Sequence, residues 1–244
     1  AFGDFIGWNN PYGNILGTLG NPNFIGAFLG IFITALAAYV VAPGISWKYR
    51  ALALITVAIG LFEIKESHAV QGLVVSAAGF SIIGFYFIRS KFKSNLILAG
   101  YTVVIAVLGF ISLMGALQKG PFTSFIYKTS VSLRGEYWQA GWNMASQFPF
   151  TGVGMDAYGD WYRRARDSQA LILPGPETVT NAAHNILFDI LSNGGWPLFI
   201  IYVFLIALAT IAILKVTLRN KNYDGTFIAL VVAWACYQIQ SVIS

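Results

Sequence analysis

Charged side chains are scarce in this sequence. Asp, Glu, Lys and Arg make up 10% of the 244 residues, 57% are hydrophobic, and the mean hydropathy is +0.66. Because a soluble domain contains roughly a quarter charged residues, this composition excludes an ordinary soluble globular protein. It is typical of a chain that crosses a membrane several times, since each crossing takes about 20 residues.

Cysteine and the common cofactor motifs are also nearly absent. The single cysteine, Cys236, lies in an apolar run, which excludes a disulfide framework. The sequence has no Walker A motif, no paired-histidine motif and no Asp-x-Asp triplet. Asp156 and Asp160 are four residues apart, but two carboxylates rarely suffice to hold a cation. We therefore predict no metal and no cofactor.

Apolar runs are what the sequence has instead. We expect each to form a membrane-spanning helix, because backbone groups in hydrocarbon must be paired within their own segment. The runs are Phe24–Ala42, Ala51–Ile64, Val70–Ile88, Leu96–Leu117, Trp196–Leu214 and Phe227–Ile243. The second is short and is expected to start at the interface, at Trp47 to Arg50. The fold class predicted is all-α, a polytopic transmembrane protein with about six spans.

The two ends of the chain give a further expectation. The sequence opens in polar loop sequence, with no cleavable signal peptide, and ends inside an apolar run at Ser244. We expect one membrane domain over residues 1–244, a fragment that lacks helices at both ends.

Positive charges in the short loops predict the orientation. Eight cations and one acid, Asp224, fall on the same side of the membrane: Lys48, Arg50, Arg89, Lys91, Lys93, Lys215, Arg219 and Lys221. An excess of Lys and Arg marks cytoplasmic loops, so residues 1–23, 63–68 and the long loop 118–195 face outside. Although the net charge is +5 and the pI about 9.3, this placement indicates a protein of the cytoplasmic membrane and no nucleic-acid partner.

The long loop, residues 118–195, is expected to be partly helical. Aromatic and small residues recur at helical spacing from Arg134 to Gln147, which predicts an amphipathic helix at the membrane surface. Pro149 and the glycines that follow it end this helix. We further predict a short helix over 157–166, a turn at 174–176, and a helix from Asn181 to Leu191.

Both histidines, His68 and His184, map to the outer side. His184 directly precedes an apolar helix, where it is either an interfacial histidine satisfied by a backbone carbonyl or a general base that takes a proton from a hydroxyl near neutral pH.

Arginines of the outer loop are the second candidate group. Arg134 starts the amphipathic helix, where the helix dipole disfavours a cation; it either pairs with Glu136 or binds phosphate through its guanidinium fork. Arg163, Arg164 and Arg166 form either a solvated basic face against anionic lipid headgroups or a substrate-binding cluster. The outer tryptophans (Trp8, Trp138, Trp142, Trp161) are interface anchors or sugar-stacking residues.

Three stretches of the chain resemble the O-antigen ligase and polymerase family of membrane proteins. Residues 17–24 read GTLGNPNF, similar to the family's Gly-x-x-Gly-Asn-Pro-Asn element at a helix start. Arg134 and Trp138, followed by Pro149 to Gly154 (PFTGVG), resemble its arginine–tryptophan helix and Pro-x-x-Gly-x-Gly sequel. Ala183-His184-Asn185, with Leu187 and Gly194-Gly195, resembles its Ala-His-Asn motif and the glycine before the next helix.

The resemblance implies transfer of a glycan from an undecaprenyl-diphosphate-linked donor to a glycan, lipid or protein acceptor, without a metal or a nucleotide sugar. It implies that His184 activates the acceptor hydroxyl and that Arg134 binds the diphosphate. The family commonly has Ser-Arg where this chain has Ser67-His68, so either Lys65 or His68 substitutes for that arginine or substrate handling differs. The predicted substrate-binding residues are Lys65, His68, Trp138, Arg163, Arg164, Arg166 and Asn185.

The competing interpretation from another class is a transporter or flippase of a lipid-linked or polyanionic substrate. Transporters usually place charged groups near the bilayer midplane at broken helices, whereas Glu63 lies at the end of its apolar run. A non-catalytic scaffold is a third possibility. Within the enzyme interpretation, these residues do not separate ligase, polymerase and protein O-oligosaccharyltransferase.

Overall fold

The secondary structure of the described residues is α-helical, apart from loops and one 3₁₀ turn. The computed structural model describes residues 19–92, 94–120, 123–126 and 129–243, and this part of the chain contains no β-strand. The helices are α1 (Pro22–Val40), α2 (Trp47–Glu66), α3 (Val70–Phe92), α4 (Asn95–Ala116), α5 (Thr123–Ile126), α6 (Thr129–Gln147), α7 (Tyr158–Ala165), α8 (Ile186–Arg219) and α9 (Gly225–Ile243), with a 3₁₀ turn at Ser168–Leu171. The all-α prediction is confirmed. The predicted outer loop at residues 1–18, with Trp8, and the loop cation Lys93 lie outside the described residues.

Five of these helices are long and apolar enough to cross a membrane: α1, α3, α4, α8 and, over Gly225–Val242, α9. In α4, which lies wholly within the described ranges, only Gly115 is buried. The helix exposes large apolar side chains such as Leu96 and Phe110. In a bilayer such side chains contact lipid, so their exposure is favourable. The chain is a multi-pass membrane protein, as predicted.

The remaining predicted span is the second along the chain, which corresponds to α2. It carries charges at both ends and is not among those five helices. Its contacts nevertheless run antiparallel along the length of α1. Arg50 donates to the Val40 carbonyl at one end, Ile33 would meet a Cβ added at Gly60, and Gly26 lies near Ser67 at the other end. A helix paired with α1 in this way reaches as far across the bilayer as α1 does, which supports the crossing. The helix also starts at Trp47, where the interfacial start was predicted.

The chain divides into two compact units, and the first contains the described residues up to Thr102 together with Lys221–Gln240. Small residues bring α1 and α3 into contact: a Cβ added at Gly72 would lie 2.7 Å from the Gly26 carbonyl oxygen. Close approach through small residues is the usual way in which helices pack inside a membrane. The side chain of Asn21 accepts the Asn23 N–H at 2.8 Å and Pro22 occupies the first turn, so the Gly-Asn-Pro-Asn element is a capped helix start.

The second unit contains Val103–Asn220 and 241–243. Its core is built where α6 packs on α7 and α8, around the fully buried Met144, Tyr158 and Tyr162. Both helices predicted in the long loop are present: α6 starts at Thr129, before the predicted Arg134, and α7 is one residue shorter at each end. The position of α6 at the membrane surface stays a prediction.

The helix predicted from Asn181 starts instead at Ile186, which corrects that prediction. The reason is local: His184 has a left-handed φ of 57°, which no α-helix accommodates, and the Asn185 side chain caps the helix by accepting the Leu187 N–H at 3.0 Å. From Ile186 the chain remains helical to Arg219, apart from a kink at Gly195 (φ 68°, ψ −172°) directly before the predicted span at Trp196.

Candidate active site

His184 is displayed on a short non-helical loop at the start of α8. Its side chain is exposed although its neighbours Ala183 and Asn185 are buried. The imidazole Nε2 lies 3.5 Å from the Thr180 hydroxyl, and the ring centroid is 5.8 Å from that of Tyr137 on α6. A left-handed backbone at a non-glycine residue is uncommon and is found preferentially at functional sites. This geometry holds an exposed imidazole against α6.

Asp189 holds the backbone of this loop. Its carboxylate accepts the Ala183 N–H at 2.6 Å, and its own N–H donates to the Asn185 carbonyl at 2.9 Å. His184 therefore lies between two anchored residues. The same carboxylate interacts electrostatically with the His184 ring. An imidazole that takes up a proton there is stabilised by the negative charge.

The hydroxyl of Tyr158 connects α7 to α6, the helix whose Tyr137 contacts His184. It is fully buried and donates to the Tyr137 carbonyl. Burial raises the pKa of Tyr158, and the charge of Asp189 raises it further. The phenol is therefore neutral at physiological pH, and it fixes α7 against the helix that carries Arg134.

Arg134 lies one turn before Tyr137 on α6 and is half-buried. Among the described residues no carboxylate lies within 4.0 Å of its guanidinium, so the alternative of a salt bridge to Glu136 is not realised in this structure. Burial lowers the pKa of Arg134 from its ordinary value of 12.5, yet an arginine remains charged at neutral pH. A partly desolvated cation without a counter-ion suits an anionic ligand.

Two glycine-containing segments, residues 149–154 and residues 192–196 at the kink of α8, pack against each other through their backbones. We call this contact the interlock. Residues 149–154 hydrogen-bond to the end of the first part of α8: the Val153 N–H donates to the Ser192 carbonyl at 2.8 Å, and the Trp196 N–H to the Pro149 carbonyl at 2.8 Å. A Cβ added at Gly195 would lie 2.6 Å from the Pro149 oxygen, and one at Gly152 would collide with the Asn193 backbone. Both glycines also have positive φ. The two predicted motifs are thus two halves of one structural contact.

Trp138 and Arg166 have structural partners. The Trp138 ring stacks on Phe188 of α8 at 5.7 Å, and its indole Nε1 is buried without a hydrogen-bond partner. Arg166 donates to the carbonyls of Thr178 and Pro176 at 3.2 and 3.0 Å. These contacts make both side chains supports of the loop.

The other two arginines of the cluster are exposed. Arg164 lies 5.3 Å over the ring of Trp161, and Arg163 points away from the buried face of α7. Lys65 and His68 belong to the first unit, where Lys65 forms an ion pair with Glu66 at 3.4 Å and His68 has a left-handed φ of 55°.

Within the described ranges, no three His, Cys, Asp or Glu side chains are grouped closely enough to hold a metal ion. Asp156 lies in a turn with φ 58°, and Asp160 is exposed in the first turn of α7. Independence of metals stays a prediction.

A family model described as O-antigen ligase matches residues 67–203, more than half of the chain. The chain belongs to the O-antigen ligase family. The O-antigen ligase match includes Arg134, both interlocking glycine segments and the His184 loop, and it ends inside α8. No curated protein matches the chain significantly. Membership of the O-antigen ligase family makes this chain a membrane glycan ligase or polymerase.

Sequence reasoning missed Asp189, Thr180 and Tyr158 in this candidate site. Asp189 carried a readable signal, because an acid in the first turn of a helix complements the helix dipole and follows the Asn185 cap by four residues. Thr180 is four residues before His184 in the chain, and its contact with the imidazole depends on the non-helical backbone of the loop. Tyr158 reaches the site only through the packing of α7 on α6.

Proposed function

We propose that this protein transfers a glycan from an undecaprenyl-diphosphate-linked donor to a hydroxyl of a glycan, lipid or protein acceptor, on the outer face of the cytoplasmic membrane. The observation that carries the proposal is the half-buried Arg134, without a carboxylate partner among the described residues, on the same helix as Tyr137, whose ring contacts His184. A cation for the leaving group and a base for the nucleophile are thus supplied by neighbouring elements of one unit.

The reaction exchanges one bond at the anomeric carbon of the donor sugar. The acceptor oxygen forms a bond to that carbon while the bond from the carbon to the phosphate oxygen breaks. His184 takes the proton of the acceptor hydroxyl, and the lipid diphosphate leaves with the bonding electron pair. Arg134 stabilises the negative charge that develops on the diphosphate, as cations placed at a leaving phosphate do in general. No metal is needed for either role.

The remaining predicted residues have secondary roles in this proposal. Exposed Arg163 and Arg164 attract the diphosphate or anionic headgroups at the membrane surface. Asn185 sets the position of His184 through its cap, and Trp138 and Arg166 support the loop. Lys65 and His68 stay predicted substrate-binding residues.

The test is a transfer assay with the purified protein in vesicles that contain a lipid-linked glycan. His184→Ala should lower the transfer rate by roughly a hundredfold to ten-thousandfold, the usual contribution of a general base. His184→Gln separates two roles, because glutamine forms hydrogen bonds but takes up no proton at neutral pH. If the His184→Gln protein is active and the His184→Ala protein is not, His184 orients a substrate and does not act as the base.

The matched control is Glu177→Gln, which changes an exposed side chain of the same loop and should leave the rate unchanged. All variants are compared by their thermal unfolding temperature. A folded His184→Ala protein with the wild-type rate would contradict the proposal, and translocation of the lipid-linked glycan without transfer would favour the flippase interpretation.

A further inference from the structure

A polar pocket of about 350 Å³ opens beside α6, the helix that carries Arg134. Its lining is formed by the middle of α6 and the segment after α7: Gly135, Glu136, Gln139, Asp167, Ser168 and Gln169. Gly135 and Glu136 directly follow Arg134 in the chain. This volume lies at the small end of the range of about 300–1,000 Å³ for small-molecule sites.

Two lining residues, Gln139 and Asp167, are held by a chain of hydrogen bonds through Asn143. The side-chain amide of Asn143 donates to the Ala165 carbonyl at 2.8 Å and to the Asp167 carboxylate at 2.9 Å. The Gln139 amide in turn donates to the Asn143 oxygen at 3.0 Å. Asp167 and Gln139 are therefore held in place before a ligand arrives, which lowers the entropic cost of binding one.

Charge and hydrogen-bonding capacity limit the ligand. The lining has two carboxylates, Glu136 and Asp167, and no lysine or arginine, so a phosphate group is repelled. The oxygen acceptors left for a ligand outnumber the donors, because the Gln139 amide already donates to the Asn143 oxygen. A site of this kind binds a group that presents several O–H donors.

We propose that this pocket is a subsite for an uncharged sugar ring of the glycan substrate. The inference rests on the proposed function, since it places the ring against the helix whose Arg134 would hold the diphosphate. Glu136 and Gln139 follow Arg134 along the axis of α6 by about 3 and 8 Å, at 1.5 Å per residue, but at 3.6 residues per turn they project from a different face of the helix. The subsite therefore takes a ring of the glycan other than the one bound to the diphosphate. The ring belongs either to the donor glycan or to a glycan acceptor, and the two sources share this chemistry.

Two variants alter the pocket without endangering the fold. Glu136→Gln removes one charge and replaces one acceptor by a donor. Gly135→Leu fills the opening, and a Cβ at Gly135 meets no atom within 4 Å, so the helix accommodates it. The matched control is Gly109→Leu on α4, another helical glycine with nothing within 4 Å.

Kinetics with each substrate varied in turn form the first measurement. Both pocket variants should raise KM at least tenfold for one substrate while kcat stays within about twofold, and Gly109→Leu should match the wild type. A higher KM for the lipid-linked donor assigns the ring to the donor, and a higher KM for the acceptor assigns it to the acceptor. Unchanged KM values for both substrates would overturn the proposal.

The second measurement does not depend on transfer. Saturation-transfer NMR detects binding of the free oligosaccharide, released from the lipid-linked donor by mild acid, to purified protein in detergent; the acceptor glycan is tested in the same way. His184→Ala should bind the sugar as the wild type does, and Glu136→Gln and Gly135→Leu should not. If transfer does not depend on His184 but sugar binding depends on Glu136, the proposed mechanism fails and the subsite stands. Binding of Mn²⁺ that requires Glu136, without sugar binding, would make the pocket a cation site and overturn the proposal.

Discussion

At the scale of single residues, the site depends on how Asp189 and Asn185 hold the loop on either side of His184. The Ala183 N–H reaches Asp189 at 2.6 Å, and the Leu187 N–H reaches the Asn185 side chain at 3.0 Å. Together they hold His184 in a left-handed conformation that costs about 1–2 kcal/mol for an L-residue. Asp189 contacts no substrate in our mechanism and acts as a positioning residue.

Substitution of Asp189 should separate geometry from charge. Asn at position 189 can still accept the Ala183 N–H, whereas Ala cannot, so Asp189→Asn should retain more transfer activity than Asp189→Ala. In Asp189→Asn a protonated His184 loses its nearby negative charge. The acid limb of the kcat/KM profile should therefore move to lower pH, because His184 releases its proton more readily. Identical activities and pH profiles in both variants and the wild type would remove Asp189 from the site.

The burial of Arg134 predicts a pH-dependent defect in Arg134→Lys. Burial lowers the pKa of Arg134, and the same desolvation would lower a lysine pKa from its ordinary value of about 10.4. A lysine there loses its charge as the pH rises through its lowered pKa, whereas arginine keeps its charge over the same range. Arg134→Lys should be roughly tenfold to a thousandfold less active at neutral pH, since it lacks the guanidinium fork, and should decline further relative to wild type toward pH 9.5.

The measurement is the transfer rate of both proteins at matched pH values between 7 and 9.5. An Arg134→Lys protein that follows the wild-type profile at a constant ratio would show that residue 134 is not desolvated in the functional protein. An Arg134→Ala protein with full turnover would place the diphosphate elsewhere.

At the scale of elements, the interlock between residues 149–154 and the kink of α8 connects the outer loop to a membrane-crossing helix. The kink at Gly195 separates the part of α8 that carries Asp189 from the part that crosses the membrane. The hydrogen bonds from Val153 and Trp196 fix its angle. Any change in this contact alters the position of the His184 loop relative to the bilayer.

Replacing either glycine with alanine should therefore weaken both folding and transfer. Gly152→Ala and Gly195→Ala combine a positive φ with backbone atoms in the space of the new Cβ. Gly175→Ala is the matched control, because Gly175 also has a positive φ, 113°, but nothing within 4 Å of the added Cβ. We expect Gly175→Ala to cost about 1–2 kcal/mol of unfolding free energy, and the other two to cost more and to reduce transfer. Equal unfolding temperatures for all three variants would show that the interlock is not tightly packed in solution.

Local sequence predicted these elements well where one signal dominated. The aromatic period predicted α6 and the glycines predicted its end, because periodicity and helix breakers act over a few residues. The start of α8 was predicted too early, since the pattern from Asn181 to Leu191 is compatible with a helix until the backbone of His184 is known. The interlock itself was not predictable, because it joins glycines some forty residues apart whose backbone contact leaves no side-chain pattern.

At the scale of the whole molecule, composition and apolar runs predicted a multi-pass helical protein, and the family match confirmed the resemblance. The roles of His184 and Arg134 as site residues stay predictions. Sequence reasoning did not predict the polar pocket, because its lining comes from two segments that meet only after α6 and α7 pack. It predicted the crossing by α2 from a short apolar run, and the contacts with α1 along the length of the helix support that crossing.

The crossing by α2 sets the orientation of everything after it, and three single cysteines test it. Ser46→Cys lies at an N-cap without a side-chain hydrogen bond, Phe92→Cys at an exposed end of α3, and Ile172→Cys at a position that is 86% exposed in the outer loop. The native Cys236 is fully buried and is changed to serine in all three. With six crossings and the cationic loops inside, a membrane-impermeant maleimide should label position 172 in intact spheroplasts and positions 46 and 92 only after permeabilisation. If α2 does not cross, position 92 labels from outside while 46 remains protected and 172 becomes protected. If the whole molecule is inverted, 46 and 92 both label from outside and 172 does not, so the two errors are distinguishable and either would move the His184 loop to the cytoplasmic face.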